Sequence, residues 1–118
     1  MKRIAINGFG RIGRLCLRVI NEYEDMEVVA INDLSTPEEL AYLLKYDTNH
    51  GNYKLDEISF NGNNLVVSGK EIPVYAEKDP SVLPWGSLDV DVVFECTGVF
   101  TSDEKAMAHI TAGAKKVI

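Results

Sequence analysis

Residues 3–13 read RIAINGFGRIG, an apolar run followed by a turn that contains three glycines. The run over residues 3–6 predicts a buried β-strand, which Asn7 and Gly8 end. From Arg11 onward the apolar residues recur at helical spacing, so a helix should follow the turn directly. We expect one stripe of that helix to face the core, formed by Ile12, Leu15, Cys16, Val19 and Ile20.

A second apolar run, residues 27–31, follows this helix and stops at Asn32 and Asp33. Strand, helix and strand with continuous apolar strands are typical of a βαβ unit whose parallel strands are buried on both faces. The remaining pattern predicts a helix that begins at Thr36, a buried strand over residues 90–95, a helix between Thr101 and Gly113, and a fourth parallel strand over residues 115–118.

The segment over residues 53–75 differs from the rest. Turn signals surround two short runs, residues 64–67 and 72–75, which predicts a small antiparallel insertion. Pro73 indicates an edge strand, because proline cannot donate to a strand pair. The fold class is therefore α/β, a Rossmann-type doubly wound and mostly parallel sheet with a small antiparallel insertion.

Residues 8–13 form a G-x-G-x-x-G fingerprint between a predicted strand and a predicted helix. In such a fingerprint Gly8 makes the tight turn, Gly10 lets a pyrophosphate approach the backbone, and Gly13 lets the helix pack on the sheet. The backbone N–H groups of the first helical turn, at Arg11 and Ile12, then face the ligand.

Asp33 lies twenty residues beyond Gly13, at the end of the second strand. A carboxylate there accepts hydrogen bonds from the adenosine ribose and repels a 2′-phosphate, which favours NAD over NADP.

Composition excludes several other classes. The 118 residues carry 12 basic and 18 acidic side chains, for a net charge of −6, which disfavours nucleic acid as a partner. No run approaches the roughly 20 apolar residues of a membrane span, and no secretory leader is evident, so we expect a cytoplasmic protein. Two cysteines provide neither a disulfide scaffold nor a zinc site.

The chain resembles phosphorylating glyceraldehyde-3-phosphate dehydrogenase in several blocks that follow the order of that family. These are AINGFGRIGR (5–14), INDL (31–34), LLKYDTNHG (43–51), EKDP (77–80), ECTGVF (95–100) and AGAKKVI (112–118). The resemblance implies that residues 1–118 are the N-terminal part of an NAD-binding domain, truncated and without the catalytic domain. It implies a glycolytic homotetramer that takes a sugar phosphate substrate.

The resemblance also implies which residues bind NAD. Besides the fingerprint residues and Asp33, these are Asn32, Lys78, Thr97, Gly98 and Phe100. No catalytic residue is expected in this chain, because the nucleophilic Cys and its partner His of the family lie beyond Ile118. A last strand that stops with the sequence likewise predicts part of a longer protein.

Two alternatives remain open. Erythrose-4-phosphate dehydrogenase is similar, but it typically has Glu where this chain has Asp33. A stand-alone, non-catalytic dinucleotide-binding module would share the same fingerprint.

Other side chains that invite a functional interpretation are expected to be structural. Cys96 is interpreted as a small apolar residue and not a nucleophile. His109 is expected on a solvated helix face, whereas Tyr42, Tyr46 and Trp85 are expected to be packing residues and not a stacking surface.

Overall fold

A computed structural model describes residues 1–50, 58–97 and 102–118, and within these ranges it contains seven strands, three helices and one 3₁₀ turn. The elements are β1 (Lys2–Asn7), α1 (Arg11–Ile20), β2 (Met26–Asn32), α2 (Pro37–His50), β3 (Ile58–Asn61), β4 (Asn64–Val67), β5 (Lys70–Tyr75), the 3₁₀ turn (Pro80–Val82), β6 (Val92–Glu95), α3 (Ser102–Thr111) and β7 (Lys116–Val117).

The strands form one sheet in the order β3-β4-β5-β2-β1-β6-β7. The pairs from β5 to β7 are all parallel, and β3, β4 and β5 pair antiparallel at one end. Strand β2 lies on one side of β1 and β6 on the other, so the winding direction reverses at β1. This arrangement confirms the predicted α/β class, doubly wound with a small antiparallel insertion, and a reversal of this kind is where such sheets bind ligands.

Buried side chains lie on both faces of the sheet, as parallel strands require. Ile4 and Ile6 point into the layer below helices α1 and α2, whereas Ala5 points into a second layer with Trp85 and Val93. The pairing of β1 with β2 shifts register between Ile4 and Ala5. Both faces of the sheet are therefore covered by apolar side chains.

The predicted apolar stripe of α1 is wrong at two of its five positions, whereas Ile20 is buried and Cys16 packs against the core. Ile12 and Leu15 are exposed, and the buried residues of this helix are Gly13, Arg14, Leu17 and Ile20. The close approach of Gly13 to the preceding turn fixes the rotation of the helix. Arg14 is buried despite its charge, because it pairs with Asp47 of α2.

Strand β5 is not an edge strand, contrary to the expectation from Pro73. It lies between β4 and β2, but its pairing with β2 begins only at Val74. The N–H of Val74 points to Asn63, so the nitrogen of Pro73 faces the opposite side, where the strand has not yet reached β2. Proline is therefore tolerated inside this sheet.

Tyr42 and Tyr46 were expected to be packing residues, but most of their surface is exposed. Both side chains are exposed on α2, whereas Trp85 is fully buried as expected.

Candidate functional site

A cavity of about 490 Å³ opens at the carboxyl ends of β1, β2 and β6. Its size falls within the range of small-molecule sites. The residues that line it are Asn7, Gly8, Gly10, Asn32, Asp33, Leu34, Glu77, Lys78, Cys96 and Thr97.

Six of the residues predicted to bind the cofactor line this cavity: Gly8, Gly10, Asn32, Asp33, Lys78 and Thr97. The other predicted residues of the fingerprint, Arg11, Ile12 and Gly13, lie in the first turn of α1 beside it and do not line it. Gly98 and Phe100 lie outside the described residues.

The three glycines of the turn differ in what a side chain would meet. Gly8 has a φ of +93°, and a Cβ there would lie 2.7 Å from Cγ2 of Thr97. A Cβ at Gly13 would lie 2.2 Å from the carbonyl oxygen of Gly8, so helix and turn are in direct backbone contact. Around Gly10, by contrast, no described atom would come within 4 Å of a Cβ. Only Gly10 therefore leaves open space, and that space belongs to the cavity.

The start of α1 is suited to an anion. Gly10 is its N-cap and provides no side-chain cap, and no acidic residue lies in its first turn. The first N–H groups of a helix have no partner within the helix, and the helix dipole places positive charge there. A pyrophosphate beside Gly10 would meet these groups.

The carboxylate of Asp33 is held by two backbone N–H groups. Oδ2 accepts from Phe9 at 2.7 Å and Oδ1 accepts from Ser35 at 2.9 Å. A carboxylate oxygen accepts more than one hydrogen bond, so both oxygens can also accept from the hydroxyls of a ribose.

Asn7 and Asn32 line the cavity side by side with hydrogen-bonded side chains, and of the two only Asn32 was predicted to bind the cofactor. Nδ2 of Asn32 donates to Oδ1 of Asn7 at 2.7 Å and to the Glu77 carbonyl at 2.9 Å. The Glu77 N–H donates back to Oδ1 of Asn32 at 2.9 Å. Asn32 therefore fixes the Glu77 backbone, next to Lys78, against the end of β2.

The prediction of cofactor-binding residues did not include four that line the cavity: Asn7, Leu34, Glu77 and Cys96. For Asn7 a signal was present, since a polar residue directly after a buried strand and before the fingerprint must find partners when it is buried.

An ion pair behind the turn supports its shape. The guanidinium of Arg14 pairs with the Asp47 carboxylate and donates to the carbonyl of Phe9 at 3.3 Å. Arg18 contacts the same carboxylate at 3.4 Å. Burial raises the pKa of Asp47, but the hydrogen bonds and charges of Arg14 and Arg18 outweigh it and hold that pKa below its usual value.

Cys96 is half-buried and faces the cavity, yet it is not an activated thiol. Burial, then neighbouring Cys16 and the charge of Glu95, raise its pKa to about 12. A thiol in this state is a poor nucleophile at neutral pH. Among residues 1–50, 58–97 and 102–118, no cluster of His, Cys, Asp or Glu could hold a metal ion.

His109 is not on a solvated face, contrary to the prediction. It is fully buried, and its Nδ1 accepts a hydrogen bond from Nε1 of Trp85 at 2.9 Å. The two rings are stacked, with centroids 6.2 Å apart. Trp85 is the reason for the error, since a buried indole N–H requires a partner and α3 supplies one.

These observations fit a dinucleotide. The cavity lies where the sheet reverses direction, Gly10 leaves room for a pyrophosphate, the start of α1 can attract its charge, and Asp33 can accept from a ribose. The fold and site together define a dinucleotide-binding domain of the Rossmann class.

Comparison with known proteins identifies the family. The family model for the NAD-binding domain of glyceraldehyde 3-phosphate dehydrogenase matches residues 2–103. The chain belongs to this family, and its cofactor is NAD.

Relatives over the whole chain agree with this assignment. The chain is 58% identical over 118 residues to a glyceraldehyde-3-phosphate dehydrogenase of Clostridium acetobutylicum, covering 100% of this chain and 35% of the relative. It is 58% identical over 120 residues to that of Thermotoga maritima, covering 100% and 36%. With that of Geobacillus stearothermophilus the identity is 58% over 117 residues, covering 98% and 34%.

The chain thus spans about a third of the length of the curated relatives that it matches. Within the described ranges, none of the helices has the length and apolar character needed to cross a membrane.

Proposed function

We propose that this chain is the NAD-binding portion of a glycolytic oxidoreductase that oxidises and phosphorylates glyceraldehyde 3-phosphate with NAD and inorganic phosphate. The observation that carries the proposal is the family match over residues 2–103, and a cavity lined by six of the residues expected to bind NAD supports it. By family resemblance, a Cys thiolate outside residues 1–118 adds to the aldehyde carbon, and the bound NAD would accept the hydride from that adduct, which leaves the acyl group attached to the sulfur. Phosphate would displace the thiolate from the acyl carbon.

The residues of this chain hold and orient the cofactor. Gly10 and the first N–H groups of α1, at Arg11 and Ile12, receive the pyrophosphate. Asp33 accepts from the adenine ribose, and the backbone of Glu77 and Lys78 lies beside the adenine. Thr97 lies at the end of β6, where the cofactor continues toward the nicotinamide side.

Gly13, Asn32, Gly98 and Phe100 complete the proposed set. Gly13 acts through its contact with Gly8, and Asn32 through its bonds to Glu77. Gly98 and Phe100 are assigned by family resemblance. The complete protein is further proposed to be a cytoplasmic homotetramer, with catalytic residues outside residues 1–118.

The test is an assay of the purified complete protein for NADH formation. Glyceraldehyde 3-phosphate should support NADH formation with NAD and phosphate, and omission of phosphate should stop turnover. A clear preference for erythrose 4-phosphate would replace the substrate while leaving the cofactor site intact. Binding of NAD without oxidation of either sugar phosphate would instead identify a non-catalytic dinucleotide-binding module.

A further inference from the structure

His109 has an N–H group that the described structure leaves without a hydrogen bond. Because Nδ1 accepts from Trp85, the ring proton is assigned to Nε2. Nε2 is buried and finds no hydrogen-bond partner among the described residues. A buried N–H group that stays unpaired costs about 1–3 kcal/mol of folding stability, so His109 at this position destabilises the fold unless another interaction compensates.

The nearest acceptor is a carboxylate that connects to the cofactor cavity. Oε1 of Glu95 lies 3.6 Å from Nε2, longer than a hydrogen bond but close enough for attraction between a charge and an N–H dipole in a buried setting. The Glu95 side chain is only 16% exposed. His109 therefore places a positive dipole against one side of this carboxylate.

Asn7 contacts the same carboxylate from the cavity side. Its Nδ2 donates to Oε1 at 2.7 Å and to Oε2 at 3.1 Å. With Nδ2 directed at Glu95, Oδ1 of Asn7 must point toward Asn32, whose Nδ2 donates to it. Asn32 in turn fixes the backbone of Glu77 in the cavity wall.

The four side chains His109, Glu95, Asn7 and Asn32 form what we call the polar network. It crosses from the layer around Trp85 to the edge of the cavity. Each amide in it has one orientation only, because reversal would place oxygen against oxygen or N–H against N–H. The backbone of Glu77 pairs with both ends of the Asn32 amide, and Oδ1 of Asn7 supplies a further contact to it. That contact depends on Glu95, which holds Nδ2 of Asn7 and is itself held in part by His109.

We propose that His109 is a positioning residue for NAD binding, acting through Glu95, Asn7 and Asn32 on the adenine side of the cavity. This proposal rests on the proposed NAD site. It assigns to α3, whose His109 is distant from the glycine turn in sequence, a role in shaping that site.

The experiment compares two amide variants of His109 in the complete protein by calorimetric titration with NAD. The amide of Gln reaches as far as Nε2, so His109→Gln keeps a donor for Glu95 and loses the acceptor for Trp85. The amide of Asn reaches only as far as Nδ1, so His109→Asn keeps the acceptor and loses the donor. Both variants change the surroundings of Trp85, but only His109→Asn removes the donor that faces Glu95.

We expect His109→Asn to raise the Kd for NAD about fivefold, less than the loss of a full hydrogen bond to a charged group, because the contact with Glu95 is 3.6 Å long and acts on NAD indirectly. We expect His109→Gln to stay within about twofold of the unsubstituted protein. ADP-ribose should show the same ratios, because the network ends on the adenine side. Equal affinities for both variants, or losses that follow only the loss in Tm, would overturn the proposal.

A second comparison covers the case in which a His109 variant fails to fold. Glu95→Gln is isosteric and should also raise the Kd for NAD. Combined with Glu95→Gln, His109→Asn should cause little further loss, whereas additive losses would contradict coupling through Glu95. If the unsubstituted protein binds no NAD, it is the proposed function that fails, and not the role of His109.

Discussion

The carboxylate of Asp33 accepts a hydrogen bond from the backbone N–H of Phe9 at 2.7 Å. The acidic residue at the end of β2 therefore holds the glycine turn at the end of β1. The side chain assigned to the ribose also fixes the backbone assigned to the pyrophosphate. This hydrogen bond therefore joins the ribose side of the proposed cofactor site to its pyrophosphate side in the protein without ligand.

Replacing Asp33 tests this linkage and the choice of cofactor. Asp33→Ala should weaken NAD about tenfold or more, because it removes the ribose acceptor and the support of Phe9. It should improve NADP relative to NAD, since the charge that repels a 2′-phosphate is lost. Titration with both cofactors measures the ratio. An unchanged ratio would count against the role of Asp33 in selectivity.

Gly13 should be required for folding more than for contact with the ligand. Its Cβ position lies 2.2 Å from a backbone oxygen, so Gly13→Ala must displace α1 or the turn. We expect a loss of about 1–3 kcal/mol in the free energy of unfolding, the usual cost of overpacking. Chemical denaturation measures it. Wild-type stability in this variant would show that the close approach is not rigid.

The pair of Arg14 and Asp47 should make stability depend on pH. Because the pKa of Asp47 is lowered from 3.8, its contribution is present above the unfolded value and is lost as pH falls through the folded value. Asp47→Ala should lose about 2 kcal/mol at neutral pH, because buried Arg14 is left without its partner.

Denaturation of wild type and Asp47→Ala at neutral pH and below about pH 3 checks this prediction. The difference between the two proteins should shrink in acid. Asp47→Asn is the matched control, since it keeps an acceptor for Arg14 and should lose less. A difference that stays constant with pH would mean that the Asp47 charge contributes nothing.

Much of the fold follows from local pattern, because apolar runs and glycine turns specify strands and βα turns directly. Gly8, Gly10 and Asp33 line one cavity, since their geometry depends on a single βαβ unit. His109 could not be placed in this way. Its burial depends on Trp85, which lies in a distant loop, and no periodicity within α3 contains that information.

The rotation of α1 shows a second limit of sequence patterns. Counting apolar residues predicts that Ile12 and Leu15 face the core, but the contact of Gly13 with Gly8 and the pairing of Arg14 with Asp47 override that preference. A hydropathy pattern contains no information about a backbone contact or about an ion pair between residues far apart in sequence. A charged residue can therefore occupy the buried face when a partner of opposite charge lies beside it.

The most direct test of the NAD site is the affinity of Gly10→Ala for NAD, measured beside its Tm. Gly10 has a φ of −77°, which alanine adopts freely, and its Cβ would meet no described atom within 4 Å. The Tm should therefore change little, while the new methyl group occupies the space assigned to the pyrophosphate. We expect a loss of about tenfold or more in NAD affinity. Undiminished NAD affinity in a stably folded Gly10→Ala protein would contradict the assignment of this cavity.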